Sequence, residues 1–279
     1  MDSSMRSICS FLTLFLTSVL WADDPDLQIY KEVDGYSLNL HIFRSPAHIS
    51  GAAPKPAIVF FFGGGWAGGT PTQFYPQCEY LADRGMVAMA AEYRVKSRHN
   101  TTPFECVMDG KSALRWIRKN AAKLGVDPER IGAGGGSAGG HVAAAVATVP
   151  GLNEEGEDLS ISCLPDTLVL FNPVYDNGPG GFGYPKLKDR YREISPMHNL
   201  REGMPPTIVF LGDQDRLIPV STAEKFRDEM RKLGNRSELV VYPGQSHGFF
   251  NQGKPGGGYL KTLQEMDKFL NSLGWLEKY

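Results

Sequence analysis

The chain has 279 residues, enough for one large α/β domain or two small ones, and its 42% hydrophobic and 22% charged residues argue against a disordered or fibrous protein. Its 31 acidic and 29 basic residues leave a formal charge of −2. No basic run is long enough to track a phosphate backbone, so nucleic acid is not expected as a partner.

In chain order, residues 1–22 come first. They hold one cation, Arg6, then a mostly apolar stretch from 8 to 20, and end on Ala22 before Asp23 and Asp24. A stretch too short to span a bilayer, followed by a small residue and acids, reads as a cleavable signal peptide. The mature protein is then 23–279, secreted or periplasmic, with no stable membrane insertion. A tethered or disordered tail is the alternative, because Asp2 offsets Arg6. Cleavage removes Cys9 and leaves Cys78, Cys106 and Cys163. Export permits a disulfide, and Cys78 with Cys106, each on an early helical segment, is the expected pair; three buried thiols are the other reading. No cysteine has metal-ligand spacing, and no histidines stand at i and i+4, so no metal is expected.

Residues 27–33 and 36–43 alternate in polarity and join through Asp34-Gly35, which predicts a β-hairpin. The run 56–62 is continuously apolar, as a strand buried on both faces requires. Helix 73–84, strand 86–91, helix 104–124, strand 130–133 and helix 138–148 follow. Strands 167–171 and 206–211, helix 219–233, strand 238–242 and helix 259–273 complete the series. Strands alternating with helices predict an α/β fold, a mostly parallel central sheet flanked by helices in a single domain. The excursion 174–201, glycine-rich and then charged, predicts a short insertion at the C-terminal edge of the sheet, over the active site, as a lid or substrate-binding element. A plain surface loop is the bland alternative.

Gly135-Gly136-Ser137-Ala138-Gly139 fits G-x-S-x-G between a strand and a helix, a setting that exposes a serine hydroxyl on a strained turn. A serine hydroxyl needs a base to take its proton and a carboxylate to hold that base in the right tautomer. Of six histidines, His247 lies in a loop directly after the last strand, with Gly244 and Gly248 about it. His141 is one helical turn past Ser137 and reads as a packed helix residue; His198 near the end of the insertion is a weaker rival. Asp215 and Asp213 both follow strand 206–211. Asp215 lies deeper in the loop and is the expected orienting acid, with Asp213 as a loop brace. The backbone N–H groups of Gly64 and Gly65, after the central apolar strand, and of Ala138 form the expected oxyanion site.

The run Phe62-Gly63-Gly64-Gly65-Trp66 resembles the H-G-G-G-W motif of hormone-sensitive-lipase-like and related carboxylesterases of the α/β-hydrolase superfamily. Glu92-Tyr93-Arg94, Asp109, Arg115-Trp116, Gly135 to Gly140, Asp215 to Pro219 and His247-Gly248-Phe249 extend the likeness in order across 56–273. The resemblance implies hydrolysis of carboxylic esters with no metal or cofactor, and secreted relatives that remove acetyl or feruloyl groups from polysaccharides. Phe62 departs from the pattern, because it cannot make the hydrogen bonds with which a histidine braces the loop. The substrate expected is a small-molecule or polysaccharide ester with a short acyl group. A peptidase acting on small peptides, or a catalytically silent binding protein on the same fold, are the rival readings.

Overall fold

A computed structural model describes residues 24–45 and 53–276; the expected signal peptide lies outside them. Strands β1 (Asp26–Val33) and β2 (Tyr36–Phe43) form the predicted hairpin, turning on Asp34 and Gly35, both at positive φ. The other strands are β3 (Lys55–Phe61), β4 (Val87–Ala91), β5 (Val126–Gly136), β6 (Thr167–Phe171), β7 (Thr207–Gly212) and β8 (Ser237–Tyr242). All eight join one sheet in the order β1-β2-β4-β3-β5-β6-β7-β8. β2 runs antiparallel to β1 and to β4, and every other pairing is parallel.

The helices in chain order are α1 (Tyr75–Asp83), α2 (Lys96–His99), α3 (Pro103–Lys119), α4 (Ala121–Leu124), α5 (Ala138–Thr148), α6 (Tyr184–Leu187), α7 (Val220–Lys232) and α8 (Gly258–Ser272). They cover both faces of the sheet, and the period of two along β3 shows how. Ala57, Val59 and Phe61 face a core shared with Leu114 of α3, Val142 of α5 and Phe226 of α7. Ile58 and Phe60 face the opposite core, with Leu81 of α1 and Phe269 of α8. Each of these side chains larger than alanine, taken fully out of water, contributes about 1.5–3 kcal/mol.

Two local rules set the limits of α3. Thr102 and Glu105 form a reciprocal capping box and Pro103 opens the first turn. The single helix expected over 104–124 breaks at Asn120, whose side-chain amide donates to the Trp116 carbonyl at 2.8 Å before α4 resumes. Asp109 of α3 is wholly buried, and its carboxylate is met by Lys31 at 2.6 Å and by the guanidinium and backbone N–H of Arg94. A charge removed from water needs such partners. This group fastens β1, the segment after β4 and α3 together.

Two expectations change. β5 runs to Gly136 rather than stopping at 133, because Gly134 to Gly136 continue the ladder beside Phe60, Phe61 and Phe171. Glycines carry no apolar signal, so the strand's last three residues are silent in the pattern. The Cys78–Cys106 bridge does not form: both thiols are free and buried, Cys78 in the core under α1 and Cys106 in the core on the opposite face of the sheet. Burial pushes both thiols well above their ordinary range, which makes them unreactive. Cys163 is also free. Among the described residues no helix is long and apolar enough to cross a membrane, and no cluster of side chains suits a metal ion.

Candidate active site

The parallel strands all end on one edge of the sheet, and the loops leaving that edge hold the candidate site residues. β5 ends at Gly136 and α5 begins at Ala138, leaving Ser137 between them at φ 54°, ψ −117°. That backbone is strained for any residue with a Cβ. It persists because the elbow is pressed against its neighbours: a Cβ on Gly139 would lie 1.9 Å from the Phe61 carbonyl oxygen. The Ser137 N–H is also tied to the Phe171 carbonyl at 3.0 Å.

The loop after β8 brings His247 to this serine, with His247 Nε2 2.9 Å from Ser137 Oγ. The other ring nitrogen, Nδ1, is 2.7 Å from Asp215 Oδ2, so the proton on Nδ1 leaves the Nε2 lone pair facing the hydroxyl. The second Asp215 oxygen accepts from the N–H groups of Leu217 and Ile218 at 2.8 and 3.0 Å. Burial pushes the Asp215 carboxyl upward, but the His247 bond and these amides outweigh it and hold it below the ordinary range. It is a carboxylate at neutral pH. Asp213 takes no part in this contact. Its Oδ1 accepts the Gly244 N–H at 2.7 Å and so braces the β7 loop against the β8 loop.

Gly63 to Gly65 leave the end of β3 beside the serine; a Cβ on Gly63 would lie 3.3 Å from that of Ser137. The Gly63 N–H is committed to Gln73 Oε1 at 2.6 Å. Among the described residues no acceptor takes the N–H of Gly64 or Gly65. Ala138 is the first residue of α5, so its N–H has no partner within the helix. These three amides are therefore available to a negative oxygen near Ser137. Phe62, where the resembled motif has a histidine, is fully buried and stacks on Tyr93 with ring centroids 4.2 Å apart. Tyr93 donates its hydroxyl to the Phe62 carbonyl at 2.6 Å. Stacking and Gln73 hold the loop without an imidazole.

His141 and His198 have other duties. His141 accepts from Trp66 Nε1 at 3.3 Å through Nδ1 and donates from Nε2 to the Ile194 carbonyl at 3.1 Å. Burial lowers its pKa to about 4, so it is neutral in that tautomer. It links the oxyanion loop, α5 and the insertion. His198 sits 2.9 Å from Ser195 Oγ, within the insertion itself. The insertion lies against the oxyanion loop: Lys186 Nζ donates to the Gly65 carbonyl at 3.2 Å and Phe182 packs on Trp66. Tyr175 is fully buried and stacked on Phe226, so it offers no surface to a ligand.

Gln73, Asn172 and Asn251 were not singled out from the sequence. Asn172 Oδ1 accepts the Gly248 N–H at 2.9 Å and its Nδ2 stands 3.5 Å from His247 Nε2. An asparagine immediately after an apolar strand, Phe171-Asn172-Pro173, was the available signal for one of the three.

Two family models match in succession, BD-FAE over residues 44–163 and the prolyl oligopeptidase family over 166–274. Among solved structures, the apo form of Thermogutta terrifontis esterase 2 is 47% identical, with a TM-score of 0.88 over 93% of this chain and 98% of that one. The same esterase with propionate bound is 47% identical at a TM-score of 0.86, over 92% and 97% of the two chains. Among sequence relatives, Esterase LipC of Mycobacterium tuberculosis is 28% identical over 70% of this chain and 53% of its own length. An acetylxylan esterase of Xylanibacter ruminicola is 28% identical over 79% of this chain and 45% of its own. The chain spans about half the length of the sequence relatives it matches.

Proposed function

The chain belongs to the α/β-hydrolase family of serine esterases, and from that premise we propose that it is a carboxylesterase cleaving esters of short acyl groups by an acyl-enzyme route. The observation that carries the proposal is the contiguous Ser137–His247–Asp215 hydrogen-bond line beside three uncommitted backbone N–H groups. His247 takes the hydroxyl proton as Ser137 Oγ attacks the ester carbonyl carbon. The carbonyl oxygen becomes an oxyanion received by the amides of Gly64, Gly65 and Ala138, worth about 2.7–4 kcal/mol per donor. Asp215 stabilises the imidazolium. Collapse expels the alkoxide, which takes the proton from His247 Nε2. Water, deprotonated by the same nitrogen, then releases the carboxylic acid and restores Ser137.

The short acyl range is supported by esterase 2 of Thermogutta terrifontis, which is recorded with propionate and with butyrate bound and phosphorylated by paraoxon. It is tested by kcat/KM on p-nitrophenyl acetate, butyrate, octanoate and palmitate. The maximum is expected at butyrate or below; a maximum at octanoate or beyond overturns it. Activity confined to peptide p-nitroanilides would instead favour the peptidase reading, and inertness towards both classes the binding protein.

A polysaccharide ester is the finer reading. Tyr184 and Tyr191 of the insertion are partly exposed, with ring centroids 6.0 Å apart, on the element that touches Gly65, and can receive a sugar ring. Acetate release from acetylated xylo-oligosaccharides tests it, and no release from any acetylated sugar removes it. For residues 1–22 we retain export as a proposal: protein recovered from an exporting host should begin near Asp23 by mass spectrometry.

A further inference from the structure

Hydrogen bonds with every donor pointing the same way join the oxyanion loop to the catalytic imidazole. The Gly63 N–H donates to Gln73 Oε1 at 2.6 Å, and Gln73 Nε2 donates to Asn251 Oδ1 at 2.9 Å. Asn251 Nδ2 donates to the Gly248 carbonyl at 2.8 Å, and the Gly248 N–H donates to Asn172 Oδ1 at 2.9 Å. The series ends with Asn172 Nδ2 facing His247 Nε2 at 3.5 Å, its longest step.

The orientation of each side-chain amide is fixed by its neighbours. A backbone N–H can only donate, so Gly63 turns the Gln73 oxygen inward and leaves its NH2 for Asn251. Asn251 must then offer its oxygen to Gln73 and its NH2 to the Gly248 carbonyl. From the other side the Gly248 N–H claims the Asn172 oxygen, so the Asn172 NH2 has to face the imidazole. Asn172 is fully buried and held at φ 35°, a left-handed backbone rare for a residue with a side chain. Where one amide both accepts and donates, as at Gln73, Asn251 and Asn172, its two hydrogen bonds polarise one another and resist distortion more than separate bonds would.

Four segments meet in this line: the loop after β3, the 3-10 turn Pro71–Phe74, the end of β6 and the loop after β8. They carry respectively the oxyanion donors, Gln73, an asparagine beside the base, and the base itself with Asn251. The Phe62 side chain cannot brace the oxyanion loop by hydrogen bonding, and the Gln73 contact to Gly63 supplies a side-chain brace, itself tied to Asn251 of the loop that carries His247. We propose that Gln73, Asn251 and Asn172 are positioning residues that hold the oxyanion donors and His247 in register as one unit. The proposal rests on the esterase reading above. A shift of ~1 Å in such a constellation costs up to ~100-fold in rate, so breaking one link is expected to be felt in turnover.

The test uses Gln73→Met and Asn251→Ala, each of which removes the two links its residue makes without adding charge, together with the double variant. Gln73→Glu, which keeps an oxygen for Gly63 but loses the donor to Asn251, serves as a second, nearly isosteric probe. In wild-type protein and variants that remain folded by circular dichroism, p-nitrophenyl butyrate kinetics are expected to show kcat reduced ~10-fold or more with KM within about twofold. The double variant should be no slower than the slower single one, because both break the same line. The low-field proton resonance of His247 Nδ1–H should also move in Gln73→Met, which a purely local role for Gln73 would not cause. Wild-type kcat in the folded variants, or fully additive losses with an unmoved resonance, would overturn the positioning role alone. A wild-type enzyme that hydrolyses no ester and whose Ser137 does not react with paraoxon would overturn the esterase reading, and this proposal with it.

Discussion

Asp215 and Asp213 leave β7 two residues apart, yet Asp215 holds His247 Nδ1 at 2.7 Å while Asp213 holds the Gly244 N–H at 2.7 Å. One carboxylate faces the imidazole; the other faces the Gly244 N–H and the Gln214 side-chain amide. Asp215→Asn can turn its NH2 towards Nδ1, which then carries the lone pair, and the Nε2 proton spoils acceptance from Ser137. In the worked serine-protease case that exchange costs about 10⁴-fold in kcat. A loss of at least ~100-fold is expected here for Asp215→Asn, against less than ~10-fold for Asp213→Asn, which keeps an oxygen for Gly244. Steady-state kinetics on p-nitrophenyl butyrate, with melting curves to establish folding, decide it; the opposite ranking would assign the role to Asp213.

Ser137 gives a prediction in which two equally inactive variants differ in stability. Ser137→Ala removes the nucleophile and should abolish turnover, but alanine retains a Cβ at φ 54°, ψ −117°. Ser137→Gly also lacks the nucleophile and relieves that strain, which is of order 1–3 kcal/mol. The glycine variant should therefore melt above the alanine variant by several degrees, each being inactive. Equal melting temperatures would mean that the elbow stores no strain at this residue.

The sheet and the three side chains that the structure brings into one hydrogen-bonded line were legible because each leaves a local trace. β3, β6 and β7 are uninterrupted apolar runs, and Ser137, Asp215 and His247 each follow a strand end with glycine nearby. What holds them was not legible. Gln73 to Asn251 spans 178 positions and Asn172 to Gly248 spans 76, and polar side chains on loops carry no periodicity that marks such pairings. The expected disulfide failed for a related reason. Two early helices are near in sequence, but α1 and α3 pack on opposite faces of the sheet, and only the crossover geometry decides which face each takes.

Gly139 exposes the tolerance of the elbow. Its Cβ position lies 1.9 Å from the Phe61 carbonyl oxygen and 2.4 Å from that of Phe62, both backbone atoms at the end of a central strand. Neither can yield as a flexible side chain would. Gly139→Ala must therefore push α5 from β3, and overpacking of this kind costs ~1–3 kcal/mol or more. By contrast, a Cβ on Gly151, in the loop beyond the C-terminal end of α5, meets nothing within 4 Å; only its φ of 65° opposes alanine. Urea denaturation should rank Gly139→Ala well below Gly151→Ala in stability, with the activity of Gly139→Ala reduced even where it remains folded. Equal midpoints would show that the elbow can relax.

His141 makes the fold itself sensitive to acid, in a window that can be stated. Burial holds its pKa at about 4 in the folded protein, against an ordinary value of 6.5. Between those two values the unfolded chain binds a proton that the folded chain refuses, so stability rises with pH across the window and falls as acid is added. Above pH 6.5 the residue is neutral in both states and contributes no slope; below pH 4 it is protonated in both. The full difference is about 3 kcal/mol, at 1.36 kcal/mol per unit. His141→Gln does not titrate, and its amide can accept from Trp66 Nε1 and donate to the Ile194 carbonyl as the imidazole does. The variant is expected to lose some stability at pH 7 through poorer fit, while its unfolding free energy falls less steeply than that of the wild type from pH 6.5 to 4. Urea titrations at half-unit steps measure both slopes, and subtracting them cancels the carboxylates common to the two proteins. Parallel curves over that interval would show that His141 takes up its proton as readily in the folded chain as in the unfolded one.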